Sequence, residues 1–238
     1  MHPRFYLTTI QQTGSAVTIN DAQTVHQIVT VLRLGKHDRI TVFSAEKEIE
    51  LAIESIGKRS ITASVLQEHR ANREPTVALT LYVSLLKKDT FEFVLQKGVE
   101  LGVWAFVPII TDRSVVRAVS HNKLLRYRTI IKEATEQCGG RQIAGLGEPV
   151  PFTRALHDLE QKQGAKLIAW EGENRQQLVD AAGPPAKEFH LFIGPEGGFS
   201  ANEVSQAQAA GCSCVSLGKR ILRAETAAIA GAALILLR

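Results

Sequence analysis

The sequence predicts an α/β fold: a mostly parallel sheet with helices on both faces, preceded by a small β-barrel. Three observations predict it. Residues 1–72 show period-two apolar alternation broken by short turns. Residues 69–76 are polar and contain the breaker Pro75, marking a linker. Beyond it, short apolar runs alternate with helical spacing, as in a parallel sheet covered on both sides. The expected domains are therefore 1–72 and 73–238.

In the first domain, Ile40 and Val42 share one face of the run Arg39 to Ser44. Ile49, Leu51 and Ile53 alternate with Glu50, Ala52 and Glu54. After the turn Gly57-Lys58-Arg59-Ser60, the residues Ile61, Ala63 and Val65 alternate again. Asp21 to Leu32 is the exception. Val25, Ile28, Val29 and Leu32 have helical spacing, and Gly35 can end that helix.

In the second domain, Val77 to Leu86 has the pattern of a buried strand. Asp89 sits three residues before Glu92, resembling a capping box. Phe91, Val94, Leu95, Gly98 and Leu101 then form one helical face, with Gly102 as the stop. Val103 to Ile110 is the next strand. Lys123 to Cys138 is amphipathic, with Leu124, Tyr127, Ile131, Ala134 and Cys138 on one side and Gly139-Gly140 ending it. Ala165 to Trp170, Phe189 to Ile193 and Cys214 to Leu217 are three further apolar runs. Ser200-Ala201-Asn202-Glu203 is a capping box opening a helix to about Ala210. Ala224 to Leu237 is apolar nearly all round and is expected to be a buried helix.

With 238 residues, 45% of them hydrophobic, the chain can bury a sizeable core. A net charge of +4 and a pI near 9.0 are compatible with a nucleic-acid partner without identifying one. Three cysteines, Cys138, Cys212 and Cys214, give no disulfide framework and suggest a reducing compartment. The Cys212-x-Cys214 pair lacks a second pair or a nearby histidine to complete a zinc site, so no metal is expected. The N-terminus has no signal-peptide h-region, and no apolar run approaches the ~20 residues of a membrane span. The expectation is a soluble, cytoplasmic protein.

Two segments carry the functional signal. Ile193-Gly194-Pro195-Glu196-Gly197-Gly198-Phe199 and Leu217-Gly218-Lys219-Arg220-Ile221-Leu222-Arg223-Ala224-Glu225-Thr226 each put a glycine loop between an apolar run and a helical pattern. Two such transitions suggest a ligand crevice at the carboxyl end of a sheet. The first loop lacks the Lys-Ser/Thr of a P-loop and the spacing of a dinucleotide fingerprint. Its glycines let a ligand approach the backbone; they also suit a tight connection needing positive φ. Lys219, Arg220 and Arg223 place three cations within five positions, which also fits a solvated loop. Glu225 can serve chemistry or simply favour a helix N-terminus.

These segments resemble the cofactor loops of the SPOUT methyltransferases. More closely, the chain resembles the RsmE family, which methylates N3 of uracil 1498 in 16S rRNA. The matching residues are Lys97-Gly98-Val99-Glu100-Leu101-Gly102-Val103, Glu136-Gln137-Cys138-Gly139, Ile193 to Gly198 and Leu217 to Ala227. His26 to Phe43, with Val31-Leu32-Arg33-Leu34-Gly35, is similar to the family's PUA-like barrel. The resemblance covers essentially the whole chain. It implies a trefoil knot in the C-terminal domain, which periodicity cannot reveal.

The resemblance also implies S-adenosyl-L-methionine as methyl donor. Its loops would comprise Trp170 and Glu171; Ile193, Gly194, Glu196, Gly197 and Gly198; and Leu217, Gly218, Ile221 and Leu222. Arg223 is the candidate for stabilising charge on the uracil oxygens. Glu225 is the candidate for positioning the uracil or taking its proton, with Glu136 as runner-up base. Arg4, Arg33, Lys36, Arg39, Lys58 and Arg59 are candidate phosphate contacts, and Arg141 and Arg220 could hold phosphates or the base. The implied partners are 16S rRNA or the small ribosomal subunit and a second copy of the chain through the C-terminal domain. The competing readings are a SPOUT 2′-O-ribose methyltransferase and a non-catalytic RNA-binding assembly factor. The Arg223-Ala224-Glu225-Thr226-Ala227 motif favours base N3 over ribose.

Overall fold

Period-two burial builds the first sheet. Its strands are β1 (Arg4–Tyr6), β2 (Gln11–Thr13), β3 (Ala16–Ile19), β4 (Arg39–Phe43), β5 (Glu48–Ile56) and β6 (Ile61–His69), in the order β1-β4-β5-β6-β3-β2. All pairings are antiparallel except β1 with β4, and the sheet is barrel-like. Val17, Ile19, Ile40, Val42, Ile49, Leu51, Ile53 and Ile61 close its core. The expected helix is α1 (Ala22–His26), capped by Asp21, whose carboxylate accepts the Thr24 N–H at 2.8 Å. It continues as a π-helical turn, Gln27–Val31.

The computed structural model describes residues 2–69, 73–181 and 186–237. Two compact units emerge: Met1–Glu74 with Thr135–Ile143, and Pro75–Ala134 with Ala144–Arg238. Residues 70–72 of the expected linker lie outside the described residues.

The second unit is built on a parallel sheet ordered β10-β8-β7-β12-β11-β13, with β9 also paired to β8. Its strands are β7 (Ala78–Ser84), β8 (Ala105–Ile110), β9 (Gly145–Leu146), β10 (Val150–Pro151), β11 (Ala165–Ala169), β12 (Glu188–Ile193) and β13 (Ser213–Val215). The helices are α2 (Thr90–Leu101), α3 (His121–Cys138, which passes into the first unit at Thr135), α4 (Phe152–Glu160), α5 (Leu178–Ala181), α6 (Ala201–Ala209) and α7 (Ala224–Leu236). Tyr82, Phe192, Ile168 and Cys214 share a core with Phe152 and Leu156 of α4 and Val204 and Ala207 of α6. Leu191 points the other way, and Gly231 of α7 packs so closely that an added Cβ would sit 2.6 Å from the leucine's Cδ2. Helices therefore cover both faces, as the alternation predicts.

Three local expectations are corrected. Asp89 occupies the N-cap of α2 but makes no side-chain cap bond: its φ of −91° and ψ of 2° depart from the extended backbone of a capping residue, and the Glu92 carboxylate that would complete the box is engaged by Arg126 and Lys123. Cys138 is exposed rather than part of the buried stripe of α3. Helix α7 is buried along one face only: Ala228, Ala232 and Ile235 are fully covered, whereas Leu234 and Leu237 are exposed.

Candidate functional site

Strands β12, β11 and β13 are neighbours and parallel, so their carboxyl ends open on the same edge of the sheet. Three loops far apart in sequence meet there: the one after Ala169, the one after Ile193 and the one after Val215. Together with Thr90 at the start of α2 and the first turn of α7, they line one crevice of about 600 Å³. That volume suits a ligand of a few tens of heavy atoms.

Each loop is held by its own backbone geometry. In the first, the Glu173 carboxylate accepts the N–H groups of Arg175 at 2.6 Å and Gln176 at 3.2 Å. Those backbone bonds hold its carboxyl below the usual range. In the second, the Gly198 N–H closes a turn on the Pro195 carbonyl at 2.9 Å, and Phe199 is buried against Phe152. Gly198 has φ of 68°, and a Cβ there would collide with the Glu171 carboxylate of the first loop. The capping box expected at Ser200 forms: Glu203 accepts the Ser200 N–H at 2.8 Å, and the Ser200 hydroxyl accepts the Glu203 N–H at 3.2 Å. In the third loop, Gly218 takes φ of 123°, open to glycine and strained for other residues.

All eleven residues expected in the cofactor loops line this crevice, and so do Arg220, Arg223 and Glu225. The apolar surface comes from Trp170, Ile193, Leu217, Ile221 and Leu222, with Ile221 84% exposed. The charged lining consists of three carboxylates, Glu171, Glu196 and Glu225, and three cations, Lys219, Arg220 and Arg223. Such a balance suits a ligand carrying both signs of charge better than a polyphosphate, which would call for a cationic excess. Glu196 is tied at the rim by the Lys87 N–H, 3.3 Å from its Oε1. Arg223 is the N-cap of α7; among the described residues its exposed guanidinium has no hydrogen bond or ion pair. Glu225 lies in the first turn of the same helix and is partly exposed.

The remaining candidates all lie in the first unit. Glu136 belongs to the first unit, where its buried carboxylate accepts the Tyr6 N–H at 2.9 Å and secures β1. That bond gives the carboxylate a structural role in the first unit. Arg4 is corrected. Its side chain is buried, pairs with Glu48 at 2.7 Å, and donates to the carbonyls of Thr135, Glu136 and Gly140. A guanidinium so enclosed is not offered to a phosphate. Arg141 is half-buried, donating to the Ala45 carbonyl at 3.1 Å. Arg33 and Lys36 are exposed; Arg39 is exposed and pairs with Glu50 at 3.4 Å.

Sequence reasoning missed Thr90, Ser216 and Arg113. The first two line the crevice. Arg113 follows β8 and donates from Nη1 to the Gly197 carbonyl at 2.8 Å. No local pattern singles out Arg113, because its partner lies 84 residues away. Among the described residues, no group of three His, Cys, Asp or Glu is arranged to hold a metal, and no helix is long and apolar enough to cross a membrane.

Comparison with known proteins agrees with this geometry. The RNA methyltransferase domain family matches residues 72–236. The ribosomal RNA small subunit methyltransferase E of Bacillus subtilis is 30% identical over 95% of this chain and 93% of its own length. That of Synechocystis is 33% identical over 90% of this chain and 70% of its own. Among solved structures, a Legionella pneumophila methyltransferase with bound SAM superposes with a TM-score of 0.88 at 30% identity, covering 99% of this chain and 97% of that one. The Neisseria gonorrhoeae ribosomal RNA small subunit methyltransferase E, bound to S-adenosyl methionine, gives 0.82 at 31% identity, with 98% and 96% covered. The chain is an RNA methyltransferase and belongs to the ribosomal RNA small subunit methyltransferase E family.

Proposed function

We propose that this protein uses S-adenosylmethionine to methylate N3 of a single uridine, uracil 1498, in the 16S rRNA of the small ribosomal subunit. The observation that carries the reading is the convergence of three strand-end loops on one crevice with Arg223 and Glu225 in its lining. The residues fit that cofactor: close-approach glycines, apolar walls and balanced charge suit a compact molecule with a cationic sulfur, an amine and a carboxylate. When bound, S-adenosylmethionine supplies an electrophilic methyl carbon.

Ile193, Leu217, Ile221, Leu222 and Trp170 would enclose the apolar part of the cofactor. The backbone of Gly194 to Gly198 and Leu217 to Gly218 would supply its hydrogen bonds. Glu171 and Glu196 would face its positive groups. Holding both reactants in line is the main catalytic contribution of such a site.

Uracil N3 lies on the Watson–Crick edge and carries a proton, so the base must be unpaired or flipped out to react. Loss of that proton puts negative charge on O2 and O4. Arg223 is free to donate to those oxygens, and the N-terminus of α7 adds positive potential at the same place. Glu225 is assigned to orient the N3–H or accept its proton. Arg33, Lys36, Arg39, Lys58 and Arg59 on the first unit, and Arg220 at the crevice, are assigned to RNA phosphates, which set register without reading sequence.

The same proposal includes the knotted path of the C-terminal chain, a cytoplasmic location, and a homodimer through the second unit. The exposed Leu234 of α7 and Leu237 at its C-cap support the last of these. The test is transfer of labelled methyl groups to small subunits lacking the modification, with naked 16S rRNA in parallel, followed by nucleoside mapping. Label in 3-methyluridine at one position is expected. Label in a 2′-O-methyl nucleoside would overturn the N3 assignment.

A further inference from the structure

We infer that Arg113 is a positioning residue for the cofactor site: it locks the glycine loop after β12 into the shape that receives the ligand. The inference rests on the cofactor reading of the crevice. Arg113 lines no part of the cavity itself. It approaches the loop from outside, and its stem lies flat on Gly197; a Cβ on that glycine would sit 3.3 Å from the arginine Cβ. Its Nη1 donates to the Gly197 carbonyl at 2.8 Å and, more loosely, to the Phe199 carbonyl at 3.5 Å.

These two bonds complete a pattern. A peptide group is planar, so fixing its carbonyl and its N–H fixes the whole plane. In the peptide between Gly197 and Gly198, the carbonyl is held by Arg113 and the N–H by the Pro195 carbonyl at 2.9 Å. In the peptide between Phe199 and Ser200, the carbonyl is held by Arg113 and the N–H by Glu203 at 2.8 Å. Both peptides are thus held from both sides, and Arg113 supplies one side of each. Without it, the glycine-rich stretch regains rotational freedom that glycine permits more than any other residue. Ordering that stretch would then be charged against ligand binding.

The turn that presents Arg113 is itself fixed. The Asp112 N–H donates to Glu203 at 2.8 Å, and the Ser200 hydroxyl donates to the Asp112 carboxylate at 2.9 Å. The exit of β8 is therefore bonded to both ends of the segment from Gly197 to Ser200. Arg113 acts from this fixed base on an otherwise adaptable loop.

The test compares wild type, Arg113→Ala and Arg113→Lys by calorimetric titration with S-adenosylmethionine and by methyl-transfer kinetics. Arg113→Ala is expected to weaken cofactor binding about tenfold, as for loss of a charge-assisted hydrogen bond, and to raise the cofactor KM in proportion. The kcat at saturating cofactor should change less than about twofold. Arg113→Lys should fall between, since the ammonium keeps the charge and a donor but sits on a shorter stem that reaches the two carbonyls less well. Hydrogen exchange should accelerate at residues 194–200 alone in Arg113→Ala. Unchanged affinity in both variants, or a loss confined to kcat, would overturn the inference. Should Arg113→Ala fail to fold, Arg113→Lys decides alone: wild-type affinity and exchange overturn it. Failure of the wild-type protein to bind S-adenosylmethionine would remove the cofactor reading and this inference with it.

Discussion

Arg126 on α3 grips Glu92 on α2 with three bonds: Nε lies 2.9 Å from each carboxylate oxygen, and Nη2 lies 2.8 Å from Oε2. Lys123, one turn earlier, approaches Oε1 at 3.7 Å. The hydrogen bonds from Arg126, then its charge and that of Lys123, hold the Glu92 carboxyl below the usual range despite its burial. A depressed folded-state pKa means that the unfolded chain binds the proton first as pH falls. The stabilisation is therefore complete above the unfolded pKa and is lost as pH drops through the folded one. Glu92→Gln should lower Tm by about 2–4 °C at neutral pH. The difference from wild type should close in acid, and thermal melts across pH 3–7 check it.

Arg223→Ala should lower kcat by about a hundredfold while changing S-adenosylmethionine affinity less than about threefold. The guanidinium makes no hydrogen bond or ion pair among the described residues, so its loss should not disturb α7. Single-turnover methyl transfer, with calorimetry on the same protein, separates the two quantities. Equal loss of both would sink the assignment of Arg223 to the reacting base.

The parts of the fold visible in sequence were those set by local periodicity. Alternation at Ile49, Leu51 and Ile53 matched β5, and the Ser200 and Glu203 pair matched a real capping box. Asp89 and Glu92 offered the same spacing, yet Glu92 found a stronger partner 34 residues away. Local rules cannot see that competition. Arg4 failed for the same reason: its acceptors lie 44 and more than 130 residues off. The crevice was legible because each glycine loop follows its own strand. That three loops meet came only from the family resemblance, because no local pattern shows β11 lying between β12 and β13.

The cysteines give a direct check on burial. Cys212 and Cys214 are buried, and desolvation pushes the Cys212 thiol up to about 11 and raises that of Cys214 as well. Only the thiolate attacks an aromatic disulfide reagent, so both should be inert in the native protein. Cys138 is exposed at the end of α3 and should react. Titration near pH 8 should therefore count one fast thiol in the native protein and three in denaturant. Two or more fast thiols would place β13 closer to solvent than its packing indicates.

Gly198 is the position where backbone conformation and ligand chemistry meet most tightly. Its φ of 68° costs any L-residue about 1–2 kcal/mol, and a Cβ would strike the Glu171 carboxylate. Glu171 is exposed, so it can swing away, and the chain should still fold. The displaced carboxylate and the reshaped turn would then spoil the contact between the first and second loops. Gly198→Ala is expected to reduce S-adenosylmethionine affinity at least tenfold while leaving Tm within about 8 °C of wild type, given the size of the strain. Pairing it with Glu171→Ala in a double-mutant cycle divides the two causes. If collision dominates, Gly198→Ala costs less affinity in the Glu171→Ala background than in wild type. If backbone strain dominates, it costs the same in both backgrounds, because removing the carboxylate leaves φ where it was.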